Sequence, residues 1–294
     1  MTDQSLQFPR FFVTAPAPCP YLPGREERKV FTELVGADAD DLSEALGRVG
    51  FRRSQTVAYR PACENCNACV SVRVIASEYV PSSSMRRVLK RNADVIVSEV
   101  ESIATMEQYH LLKRYLGTRH ADGGMADMDF DEYAEMVEHS PVTTRLFEYR
   151  LKTADGDAPK GELIATCLTD ILSDGLSMVY SFYDIALPER GLGNYVILNH
   201  TELAQQREMR YVYLGYWIEQ SEKMRYKTRF QPMERLGPGG WVRMQSGTVA
   251  QPTGAKKTGR STNANGMRRL AVSNKQFSTL PSESIPPVPR GGRK

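Results

Sequence analysis

Three cysteines at two-residue spacings, Cys63, Cys66 and Cys69, form the most specific local pattern in the chain. Thiolates spaced this way can converge on one ion from a tight loop, and Cys19, in its own Pro-rich loop, can supply a fourth ligand. Zinc or an iron–sulfur cluster suits such a donor set; the alternative is three half-buried thiols that merely lie close. Cys167 sits in an alternating apolar stretch and reads as core.

The second chemical feature runs from Ala186 to Phe230. A turn from Pro188 to Gly193 places Gly191 and Gly193 just before a helix, whose first N–H groups and positive dipole end suit an activated acyl donor. Tyr183 and Asp184 end the strand before this turn, where an acid or base can act, although capping the turn is the simpler role for the carboxylate. Downstream, Tyr216, Trp217 and Tyr226 interleave with Lys223, Arg225, Lys227 and Arg229. That mixture favours contact with a nucleic acid or ligand over simple pairing with Glu219 or Glu222. A second basic group, Arg86, Arg87, Lys90 and Arg91, suits phosphates or forms a solvated helix face. The four histidines, His110, His120, His139 and His200, show no ligand spacing and read as surface or satisfied core residues.

These residues need elements to hold them. Asp40 can N-cap a helix that ends at Gly50, and strands are expected at 54–61 and 68–76, on either side of the cysteine loop. A basic helix follows from Pro81, and apolar spacing predicts another over 102–115, with a short helix from about Asp129. Three strand stretches, 143–151, 162–172 and 175–185, are separated by Gly-, Asp- and Pro-rich turns, as antiparallel hairpins require. A helix, a strand (Tyr211–Ile218) and a second basic helix (Glu222–Arg229) then complete an α+β domain with a mostly antiparallel sheet. The expected division is a small Cys-containing domain over 1–99, a second domain over 100–241 and a tail over 242–294.

The net charge of +3 hides an asymmetry. Residues 242–294 hold ten Lys/Arg against Glu283 alone, and their Gly, Ser, Thr and Pro content reads as disordered. The remaining chain carries 28 basic and 34 acidic side chains, so a polyanion must be met by local basic patches and this tail. No apolar run is long enough to span a bilayer, the first residues lack a secretory pattern, and five cysteines without an export signal point to a reducing, cytoplasmic setting.

Five stretches in this order resemble the aminoacyl-tRNA–protein transferases, most of all the bacterial aspartate/glutamate leucyltransferases. They are PCPYLPGREERKVFTEL, GFRRSQTVAYRPACENCNACVSVRV, SMRRVLKRN, LPERGLGNYVILNHTELA and YVYLGYWIEQSEKMRYKTRF, and the likeness spans Phe8 to Trp241. The resemblance implies a Cys-bearing amino-terminal domain, followed by a domain with the fold of the GCN5-related N-acetyltransferases. The implied reaction passes leucine from leucyl-tRNA to a protein's N-terminal Asp or Glu, marking it for N-degron proteolysis. The arginine-transferring branch shares this chemistry and binds an iron–sulfur cluster, but the surroundings of Cys19 differ here, so ligand identity does not carry over. Pro188 stands where the acetyltransferases place a Gln or Arg for coenzyme A, so acetyl-CoA is not the expected donor.

On that basis Tyr183, Asp184 and Tyr216 are the expected catalytic groups, with Trp217 lining the leucyl or adenosine site. Lys223, Tyr226 and Arg229 are expected to bind phosphate or the acceptor's carboxylate, and Arg86, Arg87, Lys90 and Arg91 the tRNA backbone. Rival readings are arginyl transfer, an acetyl-CoA-dependent N-acetyltransferase, and a non-enzymatic metal-containing RNA-binding module.

Overall fold

The computed structural model describes residues 9–119, 125, 127–153 and 161–245. The amino-terminal part contains strands β1 (Phe12–Val13), β2 (Ala17–Pro18), β3 (Glu26–Glu27) and β4 (Lys29–Glu33). Helix α1 (Ala39–Arg48) and strands β5 (Arg52–Ser54) and β6 (Val57–Pro61) follow. β1, β4, β6 and β5 pair in that order into a small antiparallel sheet, while β2 and β3 form a separate ribbon.

The chain then enters a larger sheet. Its elements are β7 (Val70–Ile75), α2 (Ser83–Arg91), β8 (Val95–Val100), α3 (Met106–Arg119), α4 (Phe130–Glu138), β9 (Thr144–Leu151) and β10 (Leu163–Ile171). β11 (Gly175–Tyr183), α5 (Leu192–Gln206), β12 (Tyr211–Trp217), β13 (Met233–Gly237) and β14 (Gly240–Arg243) complete it. The strand order is β14-β13-β7-β12-β11-β10-β9-β8, and only β11 and β12 run parallel, joined by the α5 crossover.

Alternation along the strands sorts the core onto two faces. Val72, Val74, Phe147 and Tyr149 pack with Val196 and Trp217 on the side of α2 and α5. Leu146 and Phe182 face the other way, against Leu111, Leu112 and Tyr133 of α3 and α4. The local signals behind the helices are ordinary ones. Ser82 caps α2 through the Met85 N–H, and Asp129 and Glu132 form a reciprocal capping box on α4.

The expected α+β class and mostly antiparallel sheet are present, with differences in detail. The boundary expected near Glu99 falls inside β8, and β7 lies in the large sheet between β12 and β13. Val72 and Val74 are fully buried there, which ties residues 70–75 to the larger core. Asp40 lies in the first turn of α1 and does not cap it; its carboxylate accepts from the Thr143 backbone N–H at 2.7 Å and hydroxyl at 3.1 Å. The expected second basic helix, Glu222–Arg229, is present with those bounds and is of the 3-10 type. β14 continues to Arg243, past the expected end at Trp241, and the Trp241 indole donates to the Arg48 carbonyl. The tail reading beyond residue 245 and His120 lie outside the described residues.

Buried polar contacts join the small sheet to the large one. Arg53 on β5 donates Nε to Asp170 Oδ2 at 2.8 Å and Nη2 to Oδ1 at 2.6 Å, with both side chains almost wholly buried. Thr144 adds a third bond to Asp170 at 2.8 Å. Removing one partner of such a pair strands the other charge in low dielectric, at a cost of about 3–5 kcal/mol. Asp170→Ala is therefore expected to lower the unfolding free energy by about that amount, measured by urea titration.

His200, on α5, is a satisfied core residue. Its ring bonds to Tyr149 Oη, the Val196 carbonyl and Thr169 Oγ1 and packs edge-on to Phe147. Burial pulls its pKa down to about 4, opposed by the Val196 bond and aided by the charge of Arg207. The unfolded chain binds this proton near pH 6.5 and the folded one does not, so stability is full above about 6.5 and drains as the pH falls toward 4. The span is worth ~3 kcal/mol. In His200→Gln, the rise of unfolding free energy with pH between 5 and 6.5 should be shallower by one proton.

Candidate active site at the parting of two parallel strands

β11 and β12 pair only at Gly175–Tyr211, Leu176–Val212 and Ser177–Tyr213. Both strands continue, to Tyr183 and Trp217, without pairing to each other. Each follows its other neighbour: β11 stays on β10 as far as Tyr183, and β12 stays on β7 as far as Trp217. A register irregularity interrupts each of these outer pairings, between Leu168 and Thr169 on β10 and between Tyr213 and Tyr216 on β12. Bulges bend and twist strands, which accounts for the divergence.

The glycine turn closes one end of this cleft. Gly191 caps α5 with φ +64°, a left-handed conformation that favours glycine. At Gly193 the constraint is space: a Cβ there would meet Tyr183 Oη at 3.0 Å and its ring carbons at 3.1 and 3.2 Å. Tyr183 is therefore laid against the first turn of α5, with Tyr115 edge-on at 5.1 Å behind it. Tyr226 is 40% exposed, and burial, then the charge of Tyr183, raise its pKa.

Asp184 follows the capping alternative. Its Oδ1 accepts the Ala186 N–H at 2.8 Å, and Arg114 stands 3.7 Å from Oδ2. A carboxylate so engaged braces the turn.

The end of α2 clamps the turn from outside. Arg91 donates to the Glu189 carbonyl, Asn92 Nδ2 to the carbonyls of Val88 and Arg190, and Arg190 forks onto Asp94 with both bonds at 2.8 Å. The expected basic face of α2 thus divides by role. Arg91 holds the turn and Arg86 reaches back to Pro81 and Ser83, while Arg87 and Lys90 stand exposed to solvent.

The aromatic residues expected on β12 do not face the cleft as reactive groups. The Tyr216 hydroxyl donates to the Gly50 and Tyr59 carbonyls at 2.9 and 3.0 Å, and burial, then Tyr59, raise its pKa. It fastens the two sheets together. Trp217 is 8% exposed and belongs to the core under α5. Lys223 and Arg229 lie exposed on the 3-10 helix.

Lys227, named in the sequence only as one of a basic group and not as a site residue, is buried in that helix. Its Nζ donates to the carbonyls of Leu214 and Tyr216, at 2.7 and 2.6 Å, on either side of Gly215 with φ +76°. Burial first, and then the charge of Arg52, pull its pKa down to about 7. The only signal available was its place between Met224 and Phe230, three residues away on each side.

Cys19, Cys63, Cys66 and Cys69 are each part-buried. Burial, followed by the charges of Cys63, Cys19 and Cys66, pushes the Cys69 thiol up to about 12. The donor set suits zinc or an iron–sulfur cluster. As arranged, however, no three His, Cys, Asp or Glu side chains among the described residues converge to hold an ion. Cys167 is core, as expected.

Comparison with known proteins completes the picture. Residues 17–87 match the family model for the amino terminus of arginine-tRNA-protein transferase, and residues 107–237 match the model for its carboxyl terminus. The chain is 59% identical over 240 residues to an aspartate/glutamate leucyltransferase of Sphingopyxis alaskensis, covering 81% of this chain and 93% of that protein. It is 54% identical over 252 residues to the protein of that name from Nitrobacter hamburgensis, covering 85% of this chain and 98% of the relative. Among solved structures, FemX aligns at a TM-score of 0.39 with 9% identity over 64% of this chain and 63% of that one, a likeness too slight to bear on fold or function. The parted strands, the glycine turn and the cysteine loop all fall within the matched residues, and the chain belongs to the aspartate/glutamate leucyltransferases of the arginine-tRNA-protein transferase family.

Proposed function

We propose that this enzyme takes leucine from leucyl-tRNA and joins it by a peptide bond to an N-terminal Asp or Glu. The observation that carries this reading is the 59% identity to an aspartate/glutamate leucyltransferase across 93% of that protein. The product is proposed to enter N-degron proteolysis in the cytoplasm.

An aminoacyl-tRNA is already an activated ester. The acceptor amine attacks the leucyl carbonyl, the C–N bond forms and the bond to the ribose oxygen breaks. The amine loses a proton and the ribose oxygen gains one. The enzyme must therefore align amine and ester, steady the oxyanion and move a proton. This work is assigned to Tyr183, an assignment supported by its hydroxyl lying against the first turn of α5, whose positive end favours negative charge. Asp184 acts as its brace through the Ala186 and Arg114 contacts. Arg87 and Lys90, exposed on the helix that clamps the turn, are proposed to meet the tRNA backbone. A zinc ion or iron–sulfur cluster on Cys19, Cys63, Cys66 and Cys69 is proposed as a stabiliser of the amino-terminal part, with no step of transfer routed through it.

Two experiments test this. Full-length protein with tRNA charged with leucine should label peptides beginning with Asp or Glu and spare those beginning with Arg or Ala. Labelling from arginyl-tRNA instead would move the chain to the arginyl activity, and labelling from neither would sink the reading. Separately, Tyr183→Phe removes one oxygen from a packed ring. It should lower kcat by about 10²-fold, with the melting temperature unchanged; undiminished kcat would exclude the hydroxyl from proton handling.

A further inference from the structure

The two faces of the large sheet give the transfer centre two approaches. α2 packs with α5 on one face, through Met85, Val88 and Leu192. α3 packs on the other, through Leu111, Leu112 and Leu116, each almost wholly buried. The tRNA contacts proposed above, Arg87 and Lys90, belong to the α2 side. An amine attacking the leucyl carbonyl needs a path that the bulky donor does not fill, and the α3 side supplies it.

At the end of β11 the α3 side presents a cation. Arg114 stands 3.7 Å from Asp184 Oδ2, and its neighbour Tyr115 packs edge-on to Tyr183 with ring centres 5.1 Å apart. The helix that carries it is well anchored: the Tyr109 hydroxyl and Lys113 Nζ both donate to the Met128 carbonyl, at 3.0 and 3.3 Å. Arg114 itself is lightly engaged. Its side chain is 52% exposed, and its contact with Asp184 is longer than a hydrogen bond. None of its N–H groups is hydrogen-bonded among the described residues, while Asp184 is held by the Ala186 N–H at 2.8 Å. An exposed ion pair of this length adds little to stability, so the fold alone does not account for a cation here.

We infer that Arg114 receives the side-chain carboxylate of the acceptor's first residue. The inference rests on the transfer reaction proposed above and names its specificity element. In an N-terminal Asp or Glu the carboxylate lies only a few bonds from the attacking amine, so its partner must stand beside the transfer centre. Arg114 does, through Asp184 and through Tyr115 on Tyr183. A guanidinium forks onto a carboxylate with two parallel charge-assisted bonds, and its several N–H groups let it keep Asp184 on one edge while another edge takes the ligand. The leucyl side chain is apolar and gains nothing from it. Lys223 and Arg229, expected for this role, lie exposed on the 3-10 helix without an ion pair to Asp184.

The test uses full-length enzyme, leucyl-tRNA and two peptides that differ only in Asp or Asn at the first position. Wild type should prefer Asp. In Arg114→Gln, kcat/KM for the Asp peptide should fall by about thirtyfold through KM, so that the preference over Asn collapses. Arg114→Lys keeps the charge but loses the fork, and should keep part of the preference. Because the side chain is exposed, both variants should melt at the wild-type temperature. Equal losses for the Asp and Asn peptides would show that Arg114 only braces Asp184, and would overturn the inference. So would an intact Asp preference in Arg114→Gln, or a rise in KM for leucyl-tRNA alone. If wild type moves leucine to neither peptide, the reaction itself has been misread and the subsite falls with it; a failure confined to the variants leaves the reaction standing.

Discussion

The site depends on two parallel strands that stop pairing while still partly buried. Backbone donors and acceptors away from water need partners, each worth ~1–3 kcal/mol if left unmet. β11 meets the requirement on its β10 side, where the ladder runs on to Ala165–Tyr183 and the Asp184 N–H donates to Ile164. β12 meets it through β7 and through Lys227, which takes the Leu214 and Tyr216 carbonyls at the bulge. The cleft is thus a stable feature of the sheet.

Holding the cleft open leaves the turn before α5 to be fixed in place. The left-handed Gly191 caps that helix, Gly193 packs against Tyr183, and Arg91, Asn92 and Asp94 hold the turn at Glu189 and Arg190. The amino-terminal part is fixed by the same economy. Tyr216 on Gly50 and Tyr59, Arg53 on Asp170 and Asp40 on Thr143 turn two sheets into one support. The transfer centre therefore rests on strands and a helix, with only the turn contributed by a loop, and such a centre can be preorganised.

Elements with strong local signals were legible in the sequence. The hairpin strands β9 to β11, the capped helix α4 and the glycine turn before α5 all announce themselves within a dozen residues. β7 was also expected as a strand, but its place in the large sheet was not, because its neighbours β12 and β13 lie more than a hundred residues away and long-range pairing leaves no mark on local periodicity. Asp40 looked like a cap since the sequence cannot show Thr143 waiting for its carboxylate. Tyr216 looked reactive because an aromatic next to Trp217 in a polar setting fits a ligand site equally well. Only the strand's bulge determines that its hydroxyl turns toward Gly50.

Lys227 shows most plainly what sequence reading needs and lacks. Lys223, Arg225, Lys227 and Arg229 alternate along the chain, and the expected site took Lys223 and Arg229 and left Lys227 aside. In a 3-10 helix, residues three apart share a face. Met224, Lys227 and Phe230 then form one stripe, with Met224 packed against the core and Phe230 fully buried. The apolar ends of that stripe pull the lysine between them inward, and the bulge at Gly215 supplies the carbonyls that make its burial tolerable. The choice of one cation among four thus follows from the pitch of a single short helix.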